Sequence, residues 1–85
     1  MPDILVVDDE REIADLVGVY LRNEAFTVRT AATAAEAMDA IRQSPPDLAL
    51  LDVMLPDMDG FALCQQIRRE YLFPIIVVTA RVQDM

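Results

Sequence analysis

The 85 residues contain no histidine and no lysine. Without an imidazole there is no histidine metal ligand, no histidine general base and no Ser-His-Asp relay. Without a lysine amine there is no P-loop and no Schiff-base chemistry. All seven basic side chains are arginines. Gly18 and Gly60 are the only glycines, too few to write a dinucleotide-binding fingerprint. Cys64 is the single cysteine, so neither an internal disulfide nor a cysteine zinc site can form. That usage is expected of a reducing, cytoplasmic location. No apolar run approaches the ~18 residues of a membrane span, and Met1-Pro2-Asp3 does not open a signal peptide.

What is present is apolar and acidic. At 54% hydrophobic the chain has the material for a packed core, and its length suits one small domain. Fifteen acidic against seven basic residues leave a net charge of −8. Such a surface repels nucleic-acid phosphates and anionic lipid, so neither nucleic acid nor membrane is an expected partner of this segment. A metal cation or a basic partner suits it better.

Three unbroken apolar runs, Ile4 to Val7, Leu48 to Leu51 and Ile75 to Val78, read as strands buried on both faces of a parallel sheet. Phe26 to Thr30 alternates and reads as a half-exposed edge strand. Between them lie helical patterns. An Asp9-x-x-Glu12 capping box precedes Ile13, Leu16, Val17, Tyr20 and Leu21. Thr33-x-x-Glu36 opens a second helix with Ala34, Ala37, Met38 and Ile41 on one face, stopped by Ser44-Pro45-Pro46. Asp59-Gly60 opens a third, carrying Leu63, Cys64, Ile67 and Tyr71. The alternation predicts an α/β, flavodoxin-like doubly wound parallel sheet. With the exposed strand at an edge, the expected strand order is 2-1-3-4.

In that order the chain reverses between strands one and three, and ligands of open α/β sheets bind at such a switch point. The residues brought there are Asp8 and Asp9 after strand one, Asp52 after strand three and Thr79 after strand four. Strands about 4.8 Å apart would make the three carboxylates converge. Their mutual repulsion is relieved by a divalent cation, and Mg²⁺ favours hard oxygen ligands of this kind. Asp9 and Asp52, with the backbone carbonyl of Met54, could supply a partial shell.

Asp8-Asp9, Asp52 within Leu51-Asp-Val-Met-Leu-Pro56, and Thr79-Ala80 together resemble the receiver domain of two-component response regulators. Met54-Leu-Pro-Asp-Met-Asp-Gly60 is similar to the winged-helix transcription-factor branch of that family. The run Glu12-Ile-Ala-Asp-Leu-Val17 is similar to vancomycin-resistance-type regulators. The resemblance implies that Asp52 accepts a phosphoryl group from a phosphohistidine on a sensor histidine kinase. It implies that Asp9 holds Mg²⁺ directly and Asp8 largely through water. Thr79 would contact a phosphoryl oxygen and help signal the active state, and the small Ala80 would leave access to the site.

The family domain also has a fourth helix, a fifth strand bearing a lysine and a switch aromatic, and a fifth helix. Against that pattern, residues 1–85 read as a receiver domain incomplete at its C-terminus, without an effector domain. The fourth strand then becomes an edge, and a dimer or larger assembly through strand four and helix one is expected. Two other readings stand beside this one. A receiver fold could serve only as an interaction module, or an aspartyl-phosphate hydrolase of the haloacid dehalogenase type could use the same strand-end aspartate. The second wants another aspartate two residues after the nucleophile, where Met54 stands. Among the remaining residues, Asp8 and Asp9 could simply cap a helix. Asp57 reads as a solvated turn, Asp59 as an N-cap, Cys64 as packing, and Tyr20 and Tyr71 as the edge of the core.

Overall fold

The computed structural model describes residues 1–78; Thr79 and Ala80 lie outside the described residues. The elements run β1 (Asp3–Val7), α1 (Arg11–Asn23), β2 (Thr27–Ala31), α2 (Ala34–Gln43), β3 (Leu48–Asp52), α3 (Gly60–Arg68) and β4 (Ile75–Val78). The four strands form one sheet in the order β2-β1-β3-β4, every neighbouring pair parallel. The expected order and fold class are therefore those found.

Burial explains the apolar runs of β1 and β3. Ile75–Val78, expected to be buried on both faces, instead alternates between half-buried and exposed because β4 is an edge strand. β1 lies between two strands with helices on both faces, so Leu5 and Val7 face α2 and α3 while Ile4 and Val6 face α1. Ala49 and Leu51 of β3 join Leu63 and Ile67 of α3 and Ile41 of α2 in the larger core. The smaller core, under α1, gathers Ile4, Val6, Ala14 and Val28. Two faces of unequal cover are the result. α1 lies over β1 and β2, which leaves Ile76 and Val78 of β4 exposed on that side of the sheet.

Helix α1 differs from its expected form at both ends and on its face. The Asp9-x-x-Glu12 capping box is not made: the N-cap is Glu10, without a side-chain cap, and its N–H goes to Asp8 Oδ1 at 2.9 Å. Asp9 is thereby left to the switch point rather than spent on the helix. Leu16 and Tyr20 point outward, about 70% exposed, and the small residues Ala14 and Gly18 meet the sheet instead. Small side chains let the helix axis approach closely, and Val17 and Leu21 fill the flanks of that contact.

The C-terminus of α1 is a Schellman motif: Ala25 N–H donates to Arg22 O at 3.0 Å and Phe26 N–H to Leu21 O at 3.1 Å. The motif takes Phe26 out of the edge strand, so β2 begins at Thr27, one residue later than its alternation suggested. Ala25 occupies the left-handed position, with φ 71°. An L-residue there costs roughly 1 kcal/mol that glycine avoids. Ala25→Gly is expected to raise Tm by ~4 °C, read by thermal unfolding.

α2 follows its expected signals: Thr33 Oγ1 accepts from Glu36 N–H at 3.0 Å, and the helix stops at Gln43 before the two prolines. α3 ends at Arg68, a turn short of Tyr71. The Arg68 guanidinium folds over the Phe73 ring and donates to the carbonyls of Tyr71 and Phe73, which gives the chain a hydrogen-bonded turn in place of more helix.

Candidate metal and phosphoacceptor site

Parallel pairing places the acids. Val7 is registered with Leu51, so the next residues, Asp8 and Asp52, leave the sheet side by side. The ladder continues past them: Asp8 N–H donates to Ala31 O and Val53 N–H to Val78 O, each at 3.0 Å. Both strand ends are thus held by main-chain bonds to their outer neighbours. Asp9 follows Asp8 into the β1–α1 turn. One carboxylate oxygen from each of Asp8, Asp9 and Asp52 lies within 4.8 Å of the others. Asp52 is buried, Asp8 half-buried and Asp9 exposed, so the cluster opens to solvent on one side. There Asp8 and Asp9 line a cavity of about 470 Å³ with Arg11, Asp15 and Glu36, while Asp52 lies outside it.

The electrostatics favour a cation. Burial raises the Asp8 carboxyl above its ordinary range; the Glu10 N–H opposes this, and the charges of Asp52 and Asp9 add to the rise. The two ion pairs among the described residues, Arg29–Asp3 and Arg42–Asp39, lie elsewhere, so no described arginine forms an ion pair with the cluster, although Arg11 lines the adjoining cavity. Three oxygen donors of graded exposure suit a hard divalent ion that keeps part of its water shell.

The β3–α3 loop comes next to Asp52. Met54 forms an isolated antiparallel bridge with Asp59, and Gly60 N–H donates to Val53 O at 2.7 Å. Asp59 is the N-cap of α3, as expected, accepting from Phe61 N–H at 2.6 Å. Two features were not legible beforehand. Asp57 is no free turn residue: its two oxygens accept from Ala34 N–H at 2.8 Å and Ala35 N–H at 3.1 Å. A Cβ on Gly60 would stand 2.3 Å from the Asp52 carbonyl oxygen. Both depend on chain segments that meet only in space, and nothing local in the sequence signals them.

A doubly wound parallel sheet with a buried aspartate at the end of β3 and two more just after β1 defines a receiver-type class of signalling domain. The chain belongs to the response regulator receiver domain family, whose profile matches residues 4–85. It is 51% identical over 82 residues to the regulatory protein VanRc of Enterococcus gallinarum, a match covering 96% of this chain and 36% of that protein. It is 53% identical over 78 residues to the regulatory protein VanR of Enterococcus faecium, covering 92% and 34% respectively. The chain thus spans about a third of the length of these relatives. Among solved structures it is similar to the BeF3-activated N-terminal receiver domain of Klebsiella pneumoniae RstA. That match has a TM-score of 0.89 at 34% identity, covering 96% of this chain and 70% of that one. A two-component response regulator from Clostridium difficile superposes with a TM-score of 0.92 at 27% identity, covering 99% and 69%.

Proposed function

We propose that this chain is the phosphoacceptor module of a two-component system, in which Asp52 takes a phosphoryl group from a phosphohistidine on a sensor histidine kinase. Its output would be transcriptional, through an effector domain outside these 85 residues. The observation that carries the reading is the convergence of Asp8, Asp9 and Asp52 at the ends of β1 and β3. An Asp52 carboxylate oxygen attacks phosphorus and forms the O–P bond of an acyl phosphate. The P–N bond breaks, and its electron pair leaves with the imidazole. Such a transfer asks the protein for alignment and charge stabilisation more than for acid–base help.

Asp9, Asp52 and the Met54 carbonyl would hold Mg²⁺, with Asp8 acting largely through water. Bound there, the cation supplies the positive charge that offsets the anionic nucleophile and the phosphoryl oxygens. By family resemblance, Thr79 would contact a phosphoryl oxygen and Ala80 would keep the approach open. The haloacid dehalogenase reading is not favoured, because Met54 stands where its second aspartate belongs.

Thermal unfolding with and without Mg²⁺ tests the metal site. A ligand that binds only the folded state raises Tm by mass action, so millimolar Mg²⁺ is expected to stabilise the chain at neutral pH. Asp8 has a raised folded-state pKa, so without metal its contribution to stability is fullest below the ordinary carboxylate range. That contribution is lost as pH rises through the raised value. Mg²⁺ reverses the loss, and its stabilising increment should shrink as the pH falls into the carboxylate range. Asp9→Ala should abolish the increment. An increment that survives in Asp9→Ala excludes this coordination.

A polypeptide limited to these 85 residues is expected to be slow in phosphoryl uptake. They contain no lysine, and the resemblance places a lysine cation beside the transferred group. The same polypeptide is expected to self-associate. Ile76 and Val78 are 48% and 44% exposed, and Val78 adjoins a mostly apolar hollow of about 120 Å³ with Val6, Val17 and Leu50, which Asp8 and Asp52 also line. Two copies meeting through β4 and the outer face of α1 would cover these side chains. Light scattering decides: a stable monomer that binds no hydrophobic dye is incompatible with this interface.

A further inference from the structure

We propose that Asp57 is a positioning residue for the cation site, clasping the N-terminus of α2 and so holding the β3–α3 loop in register beside Asp52. The proposal rests on the reading of Asp8, Asp9, Asp52 and the Met54 carbonyl as the Mg²⁺ shell.

The loop runs from Val53 to Asp59 and is fixed at its base by the Gly60 N–H to Val53 O bond and the Met54–Asp59 bridge. Its outer turn would be free to tilt about that base. Asp57 removes the freedom: Oδ1 takes the Ala34 N–H and Oδ2 the Ala35 N–H, a two-point contact that sets both distance and rotation. The first turn of α2 is a firm post for such a contact. Ala34, Ala37, Met38 and Ile41 are buried, and Thr33 separately caps the Glu36 N–H. Leu55 and Met58, on either side of Asp57, are partly buried against the same core and pin the loop from beneath.

The contact is stronger than a neutral one. The first N–H groups of a helix have no partner within it, and the helix dipole favours an anion there. The Ala34 N–H, foremost, holds the Asp57 carboxyl below its ordinary range, so the clasp is charged at neutral pH. Met54 lies three residues before Asp57 in this loop. The Met54 carbonyl belongs to the peptide that leads from the bridged base into the outer turn, so a tilt of that turn rotates a main-chain oxygen that has to be placed to within a fraction of an ångström of a small cation. Groups that orient metal ligands without touching the metal commonly change affinity by roughly 10- to 100-fold.

A simple cap would stabilise α2 and nothing more, so the experiment compares two caps of the same helix. Mg²⁺ binding to the intact protein is measured by titration calorimetry for wild type, Asp57→Ala, Asp57→Asn, Thr33→Ala and Asp9→Ala. Asp57→Ala is expected to weaken Mg²⁺ about tenfold. Asp57→Asn, with the same shape but one acceptor and no charge, should weaken it about threefold. Thr33→Ala removes a cap from α2 without touching the loop and should stay within about twofold of wild type. Wild-type affinity in Asp57→Asn, or equal losses in Asp57→Ala and Thr33→Ala, overturns the positioning role while the wild-type and Asp9→Ala contrast stands. A wild-type protein that does not bind Mg²⁺ overturns the shell itself, and the positioning role with it.

Discussion

Replacing Gly60 by alanine is expected to cost about 3 kcal/mol of stability, lowering Tm by at least ~12 °C, and to slow phosphoryl uptake at least tenfold. A Cβ at position 60 would stand 2.3 Å from Asp52 O, 2.9 Å from Val53 Cα and 3.1 Å from Asp52 C. All three are backbone atoms, so no rotamer change relieves them. Moving the closest pair to an ordinary contact of 3.4 Å takes 3.4 − 2.3, about 1.1 Å of displacement. Either α3 retreats, breaking the Gly60 N–H to Val53 O bond, or the end of β3 bends and carries Asp52 with it. A misplacement of about 1 Å at a reacting group is enough for losses up to 10²-fold. Gly18→Ala is the control. Its Cβ would meet only the tip of Arg22 at 3.2 Å and Val28 Cγ1 at 3.7 Å. The gain in helix propensity, ~1 kcal/mol, should leave that variant neutral or more stable. Thermal unfolding and a phosphorylation time course on the two variants measure the contrast.

Asp52→Asn is expected to remove phosphoryl uptake altogether while leaving the fold intact. The amide has the shape of the carboxylate but no charged oxygen to attack phosphorus. Burial remains the main cause of the raised Asp8 carboxyl, but the loss of one charge lessens the repulsion that adds to it, so stability at neutral pH should hold or improve. Intact mass after incubation with a small phosphodonor reads the first effect and thermal unfolding the second. Uptake of a phosphoryl group by Asp52→Asn places the acceptor elsewhere. Loss of uptake together with loss of fold in that variant assigns Asp52 a structural role instead. The two substitutions separate the nucleophile from its support: one leaves the site's shape and removes its chemistry, and the other does the reverse.

Much of the fold was legible because the strands differ in burial. Ile4–Val7 and Leu48–Leu51 are unbroken because β1 and β3 are covered on both faces or flanked by neighbours. The edge strand is less apolar because only Val28 and Ala31 are buried, one on each face of the sheet. Stop signals were equally plain, since prolines after Ser44 leave α2 nowhere to go. The face of α1 was harder. Leu16 and Tyr20 share a helical stripe with Ile13 and Val17 and are larger than Ala14 and Gly18, so hydrophobicity alone favoured the wrong pair. Close approach to β2 selects for small side chains, and that requirement exists only once the helix lies on the sheet.

The same division runs through the site. Residue order alone determined that acids follow two buried strands, because strand periodicity and the position of a switch point are properties of the chain's pattern. Tertiary structure decided the rest: that Asp9 is released from capping, that Asp57 reaches across 22 and 23 residues to Ala35 and Ala34, and that Gly60 has no room for a methyl group. Hydrogen bonds and close contacts of that kind depend on tenths of an ångström between segments distant in the chain. No periodicity encodes them, and they arise only when the helices are seated on the sheet.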